Sequence, residues 1–354
     1  MTTKTRVAVL YGGRSTEHSV SCVSAGAIMD HLDADKYEIV PIGITREGAW
    51  TPGTRDGLAI VDGQLPQVRM GDELTLSLNP ATRGQIHNVT TGQVHATVDV
   101  VFPVLHGLFG EDGTVQGLLE LADVPYVGPG VLASAASMDK EFTKKLMVAE
   151  GLPVTPEVIL RGGRTELTEA QRHELGLPVF VKPARGGSSI GISKVSDWAD
   201  FQAAVELAYA NDSKVIVEAE VVGQEVEIGV LQYPDGSLFV SVPALLNGTA
   251  DSEEGFYGFE TKYLDDVVTA SIPAPLEPAI VEQLKSMALT AFQACDCKGL
   301  SRVDFFITEE GPVLNEINTM PGFTPISMYP QVFAASGVSY EELLDTLVST
   351  ALSG

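Results

Sequence analysis

The chain has 354 residues, 44% of them apolar, so it can bury several cores, and its length predicts about two to three domains. Its 22 basic residues face 47 acidic ones, for a formal net charge of −25. That excludes nucleic acid as a partner, because backbone binding needs Lys and Arg to neutralise phosphates. No stretch reaches the roughly 18 apolar residues of a membrane span and the N-terminal apolar run is short, so a cytoplasmic protein with no membrane partner is expected.

In chain order, Arg6 to Tyr11 reads as a strand, Gly12-Gly13 breaks it, and Val20 to Leu32 has helical spacing, the opening of a parallel α/β sheet. From about 51 to 96 the composition is turn-rich and polar without a strong period, which predicts an insertion or small excursion. Val98 to Leu105 returns as a buried strand ending at His106-Gly107. A helix from Val115 to Leu121 precedes the Pro- and Gly-dense stretch Pro125 to Gly130, a candidate domain boundary, and another helix is expected at about Ser137 to Glu150. Strand Val179 to Lys182, helix Trp198 to Ala210 and strand Val215 to Glu220 give the α+β pattern of a small lid. The last part starts near Gly223. It holds a hairpin turn at Tyr233 to Ser237, a loop from Gly248 to Glu260, a helix at about Glu277 to Cys295, a final hairpin and a terminal helix. Cys22, Cys295 and Cys297 are too few for a disulfide framework, lack the partners of a zinc site, and are read as ordinary thiols.

The final hairpin carries the sharpest chemistry. Arg302 to Thr308 is followed by Glu309-Glu310-Gly311, read as a three-residue loop, and by a second strand from Pro312 to Asn318. Pairing Thr308 with Pro312 sets Phe306 opposite Leu314, Asp304 opposite Glu316 and Arg302 opposite Asn318. Two carboxylates face each other, a repulsion of some tenths of a kcal/mol to about 1 kcal/mol that asks for a cation between them. With the Asn318 amide the set suits magnesium, which takes carboxylates plus substrate phosphates; a solvated sheet face with an Arg–carboxylate pair is the alternative.

Phe180-Val181-Lys182-Pro183, followed by the Gly–Ser loop Ala184 to Gly191, puts a Lys at a strand end just before a loop whose N–H groups can cradle phosphate. A plain hairpin turn fits the same residues. Glu218 and Glu225 flank a strand end, where acids can accept from a nucleotide's adenine and ribose donors. The loops His106 to Gly113 and Gly12 to Ser24, the latter containing Glu17, follow buried strands, where open α/β sheets place ligand contacts; helix capping is the alternative for Ser15, Thr16 or Glu17. His18 is read as structural.

Taken in order, the chain resembles the D-alanine D-alanine ligases of the ATP-grasp superfamily over nearly its whole length. The resemblance rests on Tyr11 to Ser21, His106-Gly107 with Gly110 to Gly117, Tyr126-Val127-Gly128 with Ser137 to Lys140, Val181-Lys182-Pro183, Gly187-Ser188-Ser189, Lys262-Tyr263, Arg302-Val303-Asp304 and Asn315 to Gly322. It implies an α/β fold of three domains: an N-terminal Rossmann-like parallel-sheet domain (1–128), a central lid (129–222) and a C-terminal catalytic domain (223–354), with ATP held between the latter two α+β domains. By position, the resemblance puts Lys140 and Lys182 on ATP phosphates, Glu218 and Glu225 on adenine and ribose, and Ser188, Ser189, Val221 and Lys262 also at the nucleotide. Asp304, Glu316 and Asn318 would hold two magnesium ions, with manganese able to substitute and a monovalent cation as a further candidate. Glu17 would take the ammonium of a first D-alanine, with Ser188 and Tyr263 around it and His106 nearby. Arg302 and the Gly322 N–H would stabilise a tetrahedral oxygen, and Ser327 and Met328 would meet the second D-alanine. A homodimer is the expected assembly. There are two departures from the family pattern: Ala184-Arg185-Gly186 stands where many relatives carry Ser and an acid, and Met328 where Leu is common. Three rivals are weighed. A D-lactate-using ligase is disfavoured by Tyr263, and another ATP-grasp ligase by Glu17, His106 and Tyr263 together. A nucleotide sensor predicts loss of Arg302 or a metal acid, and none is lost.

Overall fold

The first sheet is built from β1 (Thr5–Gly12), β2 (Tyr37–Ile44), β3 (Trp50–Pro52), β4 (Leu74–Leu76), β5 (Gln85–Asn88), β6 (Val94–Thr97) and β7 (Val100–Val104), in the spatial order β6-β5-β4-β3-β2-β1-β7. The computed structural model describes residues 4–61, 63–187, 190–248, 269–324 and 326–354. β1 is parallel to both β2 and β7, as a Gly turn feeding α1 (His18–His31) predicts. The stretch from 51 to 96, expected as an excursion, instead extends this sheet by antiparallel pairs. Its strands are three or four residues long, too short for an alternation to register in the sequence.

After α2 (Thr114–Leu121), the single helix expected from Ser137 to Glu150 is two, α3 (Val131–Met138) and α4 (Lys140–Ala149). The break is Asp139, extended at φ −95° and ψ 101°, whose carboxylate accepts from Phe142 N at 3.4 Å and so caps α4. The second sheet consists of β8 (Glu157–Arg161), β9 (Val179–Pro183), β10 (Ser193–Val195) and β11 (Lys214–Ala219), ordered β10-β9-β11-β8, with α5 (Glu169–Leu175) and α6 (Phe201–Tyr209). The helix expected from Trp198 opens as a 3-10 turn before α6.

The third sheet contains β12 (Gln224–Gln232), β13 (Leu238–Val240), β14 (Ala244–Asn247), β15 (Thr269–Ser271), β16 (Leu300–Thr308) and β17 (Gly311–Asn318), ordered β15-β14-β12-β16-β17 with β13 paired to β12. Three helices accompany it: α7 (Pro278–Ala294), α8 (Met328–Ala335) and α9 (Tyr340–Ser353). Alternation decides what each face does. Val226, Ile228, Val303 and Phe305 pack under α7 together with Ala133 of α3 and Met147 of α4. On the opposite face, Leu231 and Leu300 share a core with Tyr329 and Phe333 of α8, Leu344 and Leu347 of α9, and Val7, Val9 and Phe102 of the first sheet. Gly229 permits this approach, since a Cβ there would lie 2.5 Å from Phe333 Cε2. The first and third sheets are thus joined by one core, and the polar remainder of the third sheet's face is free to build a site.

The β16–β17 register departs from expectation near its turn. Thr308 pairs with Gly311 and Phe305, not Phe306, with Leu314, so the turn is Glu309–Glu310. A bulge between Asp304 and Phe305 then takes up one residue, Asn315, and restores the expected pairs Asp304–Glu316 and Arg302–Asn318. Because of that extra residue, Leu314 and Ile317, an odd number of residues apart, both lie in the core under α7. All three Cys are free and buried, and no helix among the described residues is long and apolar enough to cross a membrane.

Candidate active site

A cavity of about 520 Å³ opens where the three sheets meet. It is lined by Glu17 and His106 beside the first sheet, Lys140, Lys182, Glu218 and Val221 around the second, and Glu225, Arg302, Asp304, Glu316, Asn318, Gly322, Ser327 and Met328 from the third part of the chain. Residues far apart in sequence are gathered here because strand ends and the loops after them open on one crevice. Ser188, Ser189, Lys262 and Tyr263, together with most of the loop expected from Gly248 to Glu260, lie outside the described residues.

The carboxylate pair of the hairpin is part of a longer row. Glu227 of β12 pairs with Asp304 of β16, which pairs with Glu316 of β17, so three acids stand on one rung across three neighbouring strands. Arg302 lies one rung along the same face. Its Nε and Nη2 each donate to Asp304 at 2.7 Å, and its Nε is 3.0 Å from Glu227 Oε2. Asn318 Nδ2 donates to Asp304 Oδ2 at 2.9 Å. Burial would lower the Arg302 pKa, but Asp304, Glu227 and Glu316 hold it well above its ordinary value. The donor set suits a divalent ion of the magnesium kind. Asp304, Glu316 and the Asn318 amide offer oxygens without closing a cage, and among the described residues no three His, Cys, Asp or Glu side chains are grouped so as to hold a metal alone.

A second cluster gathers cations. Lys144 and Lys182 both ion-pair with Glu218, and Lys144 Nζ also donates to Thr155 O at 3.1 Å and lies 3.4 Å from Glu157 Oε2. Burial alone would raise the Glu218 carboxyl, yet the two ammonium groups bring it down to about 2. Lys140 Nζ donates to Gly186 O at 2.9 Å, and its backbone N–H donates to Ala184 O at 3.0 Å, tying the start of α4 to the Gly-rich loop. Burial lowers its pKa, against the pull of Glu316.

Glu17 is buried, and two glycines press on its carboxylate. A Cβ on Gly107 would lie 2.7 Å from Glu17 Oε2 and one on Gly187 2.8 Å from it. His106 places Nδ1 at 3.1 Å from Met320 O and Nε2 at 3.2 Å from Ser24 Oγ, while Ser24 Oγ accepts from Phe323 N at 3.3 Å. A carbonyl can only accept, so Nδ1 carries the proton and Nε2 accepts from Ser24; burial, which lowers the ring's pKa, favours this neutral form. His18, by contrast, spends its ring on Gly13 O at 2.7 Å and Val68 N at 3.0 Å, the structural role expected of it. Ser327 stands at the N-terminus of α8, its Oγ accepting from Thr324 N at 3.0 Å.

Four lining or supporting residues escaped the reading of the sequence. Glu227 could have been found by its alternation with Glu225 in an apolar strand, and Lys144 by lying one helical turn beyond Lys140. Glu111 sits inside the motif His106 to Gly113 without a role of its own, and nothing in the sequence marks Thr324. Glu111 is pushed up to about 8 by burial first, then by Glu17, although the backbone N–H groups of Gly107 and Met320 oppose the rise.

Residues 6–129 match the family model described as D-ala D-ala ligase N-terminus, and residues 146–349 match that described as D-ala D-ala ligase C-terminus. The D-alanine–D-alanine ligase of Corynebacterium efficiens is 67% identical over 351 residues, which cover 99% of this chain and 97% of the relative. Among solved structures, the VanG D-Ala:D-Ser ligase from Enterococcus faecalis superposes with a TM-score of 0.84 at 35% identity, covering 99% of this chain and 100% of that one. The D-alanine-D-alanine ligase from Coxiella burnetii also reaches 0.84, at 32% identity over 99% of this chain and 94% of that one. The family models take in residues on every wall of the cavity, from Glu17 and Glu111 to Lys182, Arg302 and Ser327, and the similarity runs the length of the chain: it belongs to the D-alanine–D-alanine ligase family.

Proposed function

We propose that this enzyme joins two D-alanine molecules into D-alanyl-D-alanine at the expense of ATP, as a step in making peptidoglycan precursors, and that it does so in the cytoplasm as a homodimer. Family membership brings the use of ATP and a divalent metal. The ion we assign is Mg²⁺, two per site and replaceable by Mn²⁺, with a monovalent cation as an accessory. The observation that carries the reading is the single cavity in which Arg302 and the acids of β12, β16 and β17 meet Lys140, Lys182 and Glu17.

The chemistry assigned to these residues runs in two steps. A carboxylate oxygen of the first D-alanine attacks the γ-phosphorus of ATP, the bond to ADP breaks, and an acylphosphate forms. The amine of the second D-alanine then attacks the acyl carbon and loses a proton, and phosphate departs with the electrons of the C–O bond. Glu17 takes the ammonium of the first substrate, with Ser188 and Tyr263 completing that seat. Lys140 and Lys182, with Ser188, Ser189 and Lys262, hold the phosphates. Glu218, Val221 and Glu225 hold adenine and ribose. Asp304, Glu316 and Asn318 would hold the divalent ions, which when bound neutralise charge on the phosphate oxygens. The Arg302 guanidinium and the Gly322 N–H face the oxygen that gains charge in the tetrahedral intermediate, and the N-terminus of α8, with Ser327 and Met328, receives the second carboxylate. On this reading the units are 1–128, 129–222 and 223–354, with the nucleotide between the latter two.

Phosphate release from MgATP with D-alanine alone, compared with D-alanine plus D-serine, D-alanine plus D-lactate, and L-alanine, with products identified by mass, tests the assignment. Dipeptide from D-alanine alone supports it. Phosphate release with product only when another acceptor is present would keep the ATP chemistry and replace the second substrate. The seat of the first substrate has its own test. Gly187→Ala forces Glu17 Oε2 to move, and the weakening of one charge-assisted hydrogen bond, about 1.5 kcal/mol, is expected to raise the KM for D-alanine roughly tenfold. An unchanged D-alanine KM would remove Glu17 from the ammonium site.

A further inference from the structure

We propose that Glu111 is a positioning residue for the ligation step, a carboxyl group that ties the loop beside Glu17 to the loop that presents the Gly322 amide. The inference rests on the assignment of that amide to the tetrahedral oxygen. Glu111 Oε2 accepts from Gly107 N at 2.6 Å and Glu111 Oε1 accepts from Met320 N at 3.1 Å, so one side chain bridges residues 213 positions apart in the chain. Gly107 is the residue whose missing Cβ leaves room for the Glu17 carboxylate, and Met320 stands two residues before Gly322. The same segment is held again a few residues on. His106 Nδ1 donates to Met320 O, Phe323 N donates to Ser24 Oγ, and Tyr340 Oη donates to Phe323 O at 2.7 Å. Gly322 therefore lies in a short span pinned at Met320 and at Phe323, with Glu111 and His106 holding its near end from the first sheet's side.

The location makes a carboxyl a costly choice. The group is partly buried and shares the cavity with Glu17 and Glu316, both of which disfavour its charge. A side chain so placed is explained by what it alone can do. Both of its oxygens accept, one N–H each, whereas an amide offers one acceptor and would turn its NH₂ toward the other N–H. The peptide that stabilises a developing oxyanion must be fixed before the charge appears, and a shift of about 1 Å there is enough to cost a factor on the order of 100 in rate. A role in holding this peptide would act on the second step and leave nucleotide binding alone.

The test uses the full-length enzyme with Glu111→Gln and, in case that variant fails to fold, Glu111→Asp, which keeps two acceptors on a shorter stem. Three quantities are read: kcat and the KM values, the affinity for a dipeptide analogue with a tetrahedral phosphinate in place of the scissile amide, and hydrogen exchange at the amides of Met320 to Phe323. The expected result is a kcat lowered by about 10- to 100-fold, a KM for ATP within about twofold, phosphinate binding weakened by a factor similar to that in kcat, and faster exchange in that segment. Unchanged exchange in a folded variant would overturn the clamp itself. Faster exchange with unchanged kcat and phosphinate affinity would show that the clamp exists but that the Gly322 amide does not serve the reaction, which overturns the proposal through the reading it rests on. A fall in ATP affinity equal to the fall in kcat would assign Glu111 to general architecture instead.

Discussion

Arg302→Ala is expected to lower dipeptide formation by about 10²- to 10³-fold while leaving ATP binding within a few-fold of the parent, because it removes one of the two donors proposed for the tetrahedral oxygen and none of the contacts proposed for the nucleotide. The substitution has a second, independent consequence. Arg302 is the guanidinium between Asp304 and Glu227, which pair across β16 and β12, and without it two buried carboxylates face each other with their shared partner gone. Breaking such a buried set costs about 3–5 kcal/mol, so the variant should also unfold at markedly lower urea. The two effects separate on adding Mg²⁺ or Mn²⁺. A divalent ion held by Asp304, as proposed above, would supply the missing positive charge and should recover part of the stability and almost none of the activity. Arg302→Lys should keep more of the stability than of the turnover, since an ammonium brings charge without the two-pronged donor geometry. If turnover survives in Arg302→Ala, the guanidinium is not part of the ligation step; if stability is unaffected, the row of acids is not held by it.

Glu218→Gln should be the most destabilising single change on the side of the cavity formed by the second sheet. It leaves Lys144, whose side chain is 3% exposed, and Lys182, at 14%, without their shared carboxylate, a loss of about 3–5 kcal/mol. The pH dependence gives the claim a sign. Folding depresses this carboxyl from an ordinary 4.5 to about 2, so its contribution is fully present above about pH 4.5 and disappears as pH falls through 2. Urea unfolding of parent and variant at pH 7, 4.5 and 3 should therefore give a gap that is wide and constant at the first two values and narrower at the third. A gap independent of pH would mean that shape, not charge, is what Gln lacks. Adding Lys144→Met to the variant should restore part of the loss, by removing one of the two cations that Glu218 neutralises.

Much of this site was legible before any coordinates. The acids at 304 and 316 declare themselves because each interrupts an alternating apolar strand, and a hairpin short enough to pair by counting brings them together. Counting from the wrong end of the turn still reached the right pairs, since the error of one residue at Gly311 is cancelled by the bulge at Asn315. Glu227 was missed for the opposite reason: its partner strand lies some seventy residues away, and no local spacing reveals which rung of β16 it will face. Lys144 and Glu111 look like ordinary surface charges in a chain with 47 acidic and 22 basic residues, and the helical spacing from Lys140 and the motif around Glu111 are signals too weak to set them apart. Strands β3 to β6 escaped because segments of three or four residues owe their shape to the neighbours they pair with.

The bulge at Asn315 also sets what length changes the hairpin can tolerate. It divides β17 into two stretches that follow separate reading frames, one phased to the Glu309–Glu310 turn and one to the acids at the cavity. Lengthening or trimming the turn alters only the first frame, whose anchor in the core is the fully buried Leu314. Deleting Asn315 would instead merge the frames into one regular ladder, with Glu316 still opposite Asp304 and Ile317 still on the side packed on α7, but without the local bend and added twist that the bulge gives the strand beside the acids.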